Sequence, residues 1–398
     1  MTFKLKIERT LSSEEKIKAL KEVANLNHED VDIGENVEII GNKIEIGRGV
    51  IIEKGVKLVF DNAVIGDFTR IGRESDIRAT QLILENGTTL GHDMRCLVGE
   101  QLHIGRNAYI GHSCELICRN ARIDEGFYAE HDIIIGGGGG STGPYSELKI
   151  GRFVHVGEFS VLNTARPLTI GDEAGLGAHV MIYTHGMWSP VLEGYPVNFG
   201  QVHIGSKAWI TGRSIIMPGV SVGEGTVVAM GSVVTKDLPP RSLAGGVPAK
   251  VLREGLFDLK LSFEKQIGIV REILERYIPE LEFKGFSVKK DKTDENILLK
   301  IDNSVIAFFP NIEDMKKYQD IINMKDRMIL LGWSKESEIQ PDSERITLFD
   351  LNKMKISGYT DELSEDLRDF LRRNCIRFYT QDKFRSIQPP IFRNLSGV

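Results

Sequence analysis

The sequence is poor in three things. It has four cysteines in 398 residues, no long uncharged apolar run, and no excess of basic charge, the formal net charge being −6. So few cysteines exclude a disulfide framework and point to reduced thiols. Without a run of roughly 18 apolar residues no transmembrane helix is expected, and no membrane insertion. A mildly acidic balance argues against nucleic acid as the main partner. The opening stretch MTFKLKIERTLSSEE carries charges every few residues and no apolar segment, so it does not read as a secretory signal. A cytoplasmic location is the expectation.

Glycine, by contrast, is abundant: 41 residues, beside a hydrophobic share of 41% that excludes disorder as the main state. Every sixth residue from Ile204 is aliphatic and β-branched: Ile204, Ile210, Ile216, Val222, Val228 and Val234. Four positions after the first five stand Ala208, Ser214, Val220, Thr226 and Ser232, all small or β-branched. The pattern recurs upstream, at Ile65, Ile71, Ile104, Ile110, Ile150, Val156, Ile170 and Leu176, and a glycine usually follows the aliphatic residue, as in IGDFTR, IGRNAY and IGSKAW. A helix would not align residues six apart, and a sandwich needs longer strands. Period six predicts a short strand, a corner and another short strand. The aliphatic side chain fills the interior, the small one sits at the corner, and glycine is expected to lend the bend its backbone freedom. Three hexads close a triangular coil, and coils stack into a solenoid of roughly nine or ten turns.

This array resembles the hexapeptide-repeat family. The resemblance implies a left-handed parallel β-helix, a winding that the usual right-handed crossover rule would not predict. It covers roughly residues 31–253. A helix over about 13–26, with Ser12 and Glu15 as a capping box, is expected to cover the open end, making residues 1–30 a helical cap. Residues 31–60 read as worn repeats. After Arg253 the period vanishes, and residues 255–398 read as a second, α+β domain. Its expected helices are FEKQIGIVREILERY and DELSEDLRDFLRR, and its expected strands ILLKI, VIAFF, RMILLG, RITLFDL and IRFYT. The fold class is therefore mainly β.

Three interruptions break the repeat. Residues 133–151 contain Gly136–Gly140, five glycines that suggest an excursion or tongue. It lacks the Lys-Ser/Thr and the helix start of a phosphate loop. Two extra residues bulge out at NTARPLT. A long loop, YTHGMWSPVLEGYPVNFGQVH, separates Ile182 from Ile204, and loops that leave a rigid scaffold are where function concentrates.

The stretch from Leu162 to Arg253, including LTIGDEAGLGAHVMIYTHG and VHIGSKAWITGRSIIMPGVSVGEGTVVAMGSVVTKDLPPRSLAGGVPAKVLRE, resembles the galactoside, maltose and streptogramin O-acetyltransferases. The resemblance implies acetyl-CoA as donor substrate and a carbohydrate or related hydroxyl as acceptor. It also implies a homotrimer with sites between subunits. His185 takes the place of the catalytic histidine, and an imidazole at a coil opening suits a base that works near neutral pH. Asn163 and Trp209 would meet the acceptor. Gly212, Met230 and Thr235 would meet the pantetheine arm, Gly212 also offering an oxyanion donor. Lys236 and Arg253 would meet the phosphates of CoA. An amine acceptor needs the same base, so N-acylation of an amino or nucleotide-linked sugar stays open, as does a non-catalytic trimeric scaffold. The γ-class carbonic anhydrases share this fold and bind zinc through three histidines, but His155, His179, His185 and His203 lack the close pair that arrangement needs, and no metal is expected. His179 counts as an outward position. Cys96, Cys114 and Cys118 fall within repeats as small buried hydrophobes. With no cysteine placed near His185, direct transfer is expected rather than a covalent acyl-enzyme.

Overall fold

A computed structural model of the chain describes residues 2–7, 11–26, 30–138, 140–256, 261–292, 296–314, 327–334, 345–378, 387, 389 and 390. The chain divides into two units, Met1–Leu259 and Lys260–Val398, and each is taken by itself. Among the described residues no helix is long and apolar enough to cross a membrane.

The first unit is a β-solenoid of stacked parallel coils, the architecture of the hexapeptide-repeat left-handed β-helix. The hexads set its register. Ile204 pairs with Val222, Ile210 with Val228 and Ile216 with Val234, each partner one 18-residue coil further on. All six are fully buried in one core. The sides carrying Ile204, Ile210 and Ile216 are called sides one, two and three. The small slot has a polar reason as well as a steric one. Ser75, Ser160 and Ser214 are buried, and their hydroxyls donate to carbonyls of Gly91, Gly177 and Ala229 in the neighbouring coil, at 3.2, 3.2 and 3.1 Å.

The hexad glycine is selected for a reason other than the expected one. The left-handed residue of the corner lies two positions after it; glycine fills that place in some hexads, as at Gly49 and Gly225, but side chains fill it in others: Phe68 at φ 56°, Asp93 at 56°, Lys207 at 58°. The glycine faces the backbone of the next coil instead. A Cβ on Gly205 would lie 2.5 Å from the Glu224 nitrogen, and one on Gly223 2.3 Å from the Pro240 nitrogen. Close approach of coil to coil, not freedom at the bend, forbids a side chain there.

The edge between sides three and one changes along the solenoid. In the N-terminal half it is spanned by unbroken strands, Lys57–Ile65, Asp76–Leu84 and Arg95–Ile104. Arg95–Val98 pairs with Glu115–Cys118 and Leu102–Ile104 with Ala121–Ile123, on two different sides. The register runs Ile46, Ile65, Leu84, Ile104, Ile123, so these coils hold 19 or 20 residues. The extra residue or two is why residues 31–60 read as worn repeats. They are regular coils, with Asp32–Ile33 stacked on Ile51–Ile52. Among the described residues side two has eleven parallel levels and a twelfth, antiparallel strand, Ala249–Arg253.

The N-terminal helix spans Ser13–Lys21 and has the Ser12–Glu15 capping box. It ends earlier than its pattern suggested, because Ala24–Asn25 joins the sheet beside Ile44–Glu45. Leu20 is fully buried in the solenoid core. An unforeseen strand, Phe3–Ile7, runs antiparallel to Val37–Gly41. Burial also sets the thiols: the Cys96 thiol is pushed well up, and that of Cys118 to about 12.

The second unit holds a six-stranded sheet in chain order: Val288–Lys292, Ile297–Ile301, Ser304–Asn311, Arg327–Trp333, Ile346–Asp350 and Lys355–Gly358. The third, fourth and fifth strands are parallel, and the outer pairings are antiparallel. Helices Phe263–Phe283 and Glu362–Arg373 bury Leu274, Tyr277, Leu367 and Leu371 in a core shared with the sheet. Ile376–Phe378 form no strand, and the rest of the IRFYT segment lies outside the described residues. Lys284 Nζ bonds both Asp366 oxygens, at 2.8 and 2.9 Å, and Tyr277 donates to Asp366 at 2.8 Å. Burial and the adjacent carboxylate push the Tyr277 hydroxyl well above its ordinary pKa.

Two predictions follow from these contacts. Gly205→Ala should cost about 2 kcal/mol by overpacking, whereas Lys207→Gly, which relieves a left-handed side chain, should change stability by less than about 1 kcal/mol; urea unfolding of both variants checks the difference. Lys284→Ala strands a fully buried carboxylate and should destabilise the second unit by about 3–5 kcal/mol, read from the same unfolding curves.

Candidate active site

All three interruptions leave the solenoid at one edge. Ile135, Leu162 and Ile182 close consecutive strands of side three, stacked in register on Ile216. The chain re-enters on side one at Glu147–Ile150, Leu168–Ile170 and Val202–Ile204, again in register. This is the edge that the N-terminal coils cross without a break. The glycine excursion, the two-residue bulge and the long loop are therefore stacked neighbours in space.

Each supplies part of one hydrogen-bonded cluster. His185 opens the long loop, where His185–Gly186 pairs antiparallel with Asn198–Phe199, and its ring is half-buried. His185 Nδ1 lies 2.9 Å from Asn163 Oδ1. An amide oxygen only accepts, so Nδ1 carries the proton and donates. The neutral ring then has its lone pair on Nε2, for which the described residues provide no partner. Asn163 is only 3% exposed, and every polar atom of its side chain is engaged. Oδ1 also accepts from the Thr184 hydroxyl at 2.6 Å and from the Ala165 amide at 3.2 Å, while Nδ2 donates to the Gly137 carbonyl at 3.2 Å. Three donors on one end and a carbonyl on the other fix which way the amide points. Asn163, expected to meet the acceptor, is instead spent inward on holding the His185 ring.

The glycine excursion is packed against this cluster. Gly137 O also accepts from the Ser141 hydroxyl at 3.3 Å, and a Cβ on Gly138 would come within 3.8 Å of His185 Cε1. The Phe199 ring stacks on the imidazole at a centroid distance of 5.9 Å. Arg166, from the bulge, lies over both Phe199 and Tyr145, its guanidinium carbon 4.3 and 4.7 Å from their centroids.

The remaining expected residues are divided among other parts of the prism. Trp209 points outward from side two and is 55% exposed. Gly212 and Met230 stand together on the edge between sides two and three, where Gly212 O accepts from the Gly231 amide at 3.1 Å and a Cβ on Gly212 would meet Met230 Cε at 3.8 Å. Thr235 and Lys236 are exposed, just after the side-three strand Val233–Val234 and so on the edge that carries His185, further along the stack. Arg253 ends the antiparallel strand on side two. Lys236 and Arg253 form no ion pair among the described residues. A single chain does not bring Trp209, Gly212, Met230 or Arg253 to His185. The other histidines are likewise scattered: His155 on side two beside Glu130, His179 exposed and stacked on Phe159, His203 exposed on side one. Among the described residues no three His, Cys, Asp or Glu side chains gather to hold a metal ion.

Sequence reasoning missed Gly137, Tyr145, Arg166, Thr184 and Phe199. The signal was there in the hexad count, since each interruption follows a side-three residue.

Residues 201–236 match the family model for the hexapeptide repeat of succinyl-transferase, and the resemblance to the hexapeptide-repeat acetyltransferases is carried by individual relatives. A Staphylococcus aureus protein that bears an acetyltransferase name is 55% identical over 62 residues, 16% of this chain and 31% of its own length. The galactoside O-acetyltransferase of Escherichia coli is 34% identical over 114 residues, 27% of this chain and 55% of its own. Among solved structures, a hexapeptide-repeat acetyltransferase of Vibrio cholerae complexed with acetyl coenzyme A is 24% identical with a TM-score of 0.26, the match covering 42% of this chain and 70% of that one. A galactoside acetyltransferase in complex with coenzyme A is 27% identical with a TM-score of 0.29, covering 34% and 64%. The chain spans about a third to a half of the length of these curated relatives.

The amide lock on the imidazole is directly measurable. In the wild type, ¹⁵N-resolved NMR of neutral His185 should show the proton on Nδ1. Asn163→Ala should move the balance toward the Nε2–H tautomer, and an unchanged tautomer would mean that Asn163 does not hold the ring.

Proposed function

We propose that the protein is an acetyl-CoA-dependent O-acetyltransferase acting on a carbohydrate or related hydroxyl acceptor, with His185 as general base. The observation that carries this reading is the free Nε2 of an imidazole whose Nδ1–H is pinned by Asn163. A base must present a lone pair toward its proton in a fixed direction, and this ring has one lone pair and one orientation. The similarity to galactoside O-acetyltransferase, 34% identity over 114 residues, supports the donor and the acceptor class.

In the proposed reaction the acceptor oxygen attacks the thioester carbonyl while Nε2 takes the hydroxyl proton. The tetrahedral intermediate collapses, the C–S bond breaks, and the proton passes from Nε2 to the departing thiolate. Within the first unit, Cys96, Cys114 and Cys118 are buried in the solenoid interior, so among its described residues no exposed thiol is offered as an intervening nucleophile. Asn163 holds the imidazolium through Nδ1 while the proton is on loan.

The expected donor-side residues Gly212 and Met230 lie on a different edge from His185, so a complete site needs a second copy of the chain to face that edge. A homotrimer with three such clefts meets this need. It also gives cover to the long loop, where Trp188 is 98% and Leu192 102% exposed, an apolar display that a lone chain would not favour.

His185→Ala should lower kcat for acetyl transfer by about 10²–10⁴-fold, with the oligomer intact by light scattering. Full activity in that variant would remove the proposal. Matched alcohol and amine acceptors, assayed by thiol release from acetyl-CoA, separate O- from N-transfer.

A further inference from the structure

We propose that Arg166 is an anion-binding subsite beside His185, so that the acceptor is an acidic sugar, one bearing a carboxylate or a phosphate. Calling that ligand an acceptor rests on the acetyl-transfer reading above; the subsite itself rests on the geometry of Arg166.

Arg166 is half-buried, and among the described residues its guanidinium has no carboxylate partner. Of its five N–H groups one is committed to oxygen, Nη1 donating to the Ala165 carbonyl at 2.8 Å. Several other arginines of this solenoid are neutralised, Arg106 by Glu125, Arg119 by Glu100 and Glu147, and Arg152 by Asp172, although the exposed Arg253 forms no ion pair among the described residues. Arg166 has two aromatic rings in that role. Contact with Phe199 and Tyr145 places the charge without giving its N–H groups an oxygen acceptor. The long loop has one acidic residue between His185 and His203, Glu193, and it forms no ion pair with Arg166 among the described residues.

The cation is also fixed relative to the base. The Arg166 amide donates to the Thr184 hydroxyl at 3.1 Å, and that hydroxyl donates to Asn163 Oδ1, the atom that holds His185. Phe199 touches both, which keeps the guanidinium carbon within about 10 Å of the imidazole centre. That separation is within the reach of a mono- or disaccharide whose anion and reacting hydroxyl are on opposite ends. Tyr145 and Phe199 are themselves 61% and 37% exposed, and aromatic faces beside a cation suit a ligand with an apolar ring face and a negative group. A planar guanidinium fork recognises carboxylate and phosphate alike.

Calorimetry on the full chain tests this with galactose, galacturonate and galactose 6-phosphate as probes. The wild type should bind at least one of the two acids more tightly than galactose, and the arm that binds better identifies the anion. Arg166→Gln should weaken binding of that acid about 10- to 100-fold, the size of one or two charge-assisted hydrogen bonds, and so abolish the preference over galactose. Arg166→Lys, which keeps the charge but not the fork, should fall between the two, and guards against a folding defect in the first variant. Galactose bound as tightly as both acids, absence of Arg166-dependent binding of either acid at millimolar concentration, or a loss of acetyl-CoA affinity in place of acid affinity would each overturn the proposal. Because binding is read without turnover, this result and that of His185→Ala stand or fall separately.

Discussion

The whole solenoid depends on how closely one coil lies on the next. Backbone groups of each coil bond to the coil below at ordinary distances, as in Gly205 N to Val222 O at 2.8 Å, and at the corners this leaves no room for a Cβ. The hexad glycines, the left-handed corner residues and the buried corner hydroxyls are all responses to that one spacing. Non-glycine residues accept the left-handed conformation at about 1–2 kcal/mol each. The stacked ladder and the aliphatic lumen offset it coil after coil.

Because sides two and three and their shared edge are so tightly determined, chain that does not fit a hexad has one place to go. The edge from side three to side one already tolerates an additional residue or two in the N-terminal coils. In the C-terminal half it accommodates the glycine excursion, the bulge at Asn163 and the hairpin that begins at His185. A stack with a fixed register turns three insertions far apart in sequence into neighbours. The cluster of Gly137, Asn163, Thr184 and His185 is the outcome, and the hydrogen bonds among these four all join residues more than 20 positions apart.

Much of the fold was legible. Ile204 to Val234 announce the period without ambiguity, and Ser12 with Glu15 announces the first helix. The coil count fell short because residues 31–60 belong to coils of 19 or 20 residues, whose third side drifts out of a strict six. The reason expected for the glycines fits the corner glycines such as Gly225, at φ 65°, but not those that directly follow the aliphatic residue, because a contact between coils leaves the same trace in sequence as a demand for backbone freedom. At the site, His185 is singled out by the resemblance to the O-acetyltransferases, with its place at the start of a loop in support. The task of Asn163 could not be read from the sequence, since its partners lie 2, 21, 22 and 26 positions away. Arg166, Tyr145 and Phe199 stand on separate insertions, and only counting hexads through all three would have shown them on a common edge.

The two ends of the stack share a further property. A parallel solenoid presents at each end an open ladder, ready to receive the coil of another molecule. Here Phe3–Ile7 covers side three at one end and Ala249–Arg253 covers side two at the other, and both run antiparallel to the strands they cover. A strand of opposite polarity continues the hydrogen bonding but breaks the coil repeat, so a further copy meets no matching template. On those two sides chain direction alone works against growth into fibres, the standing hazard of exposed strand edges.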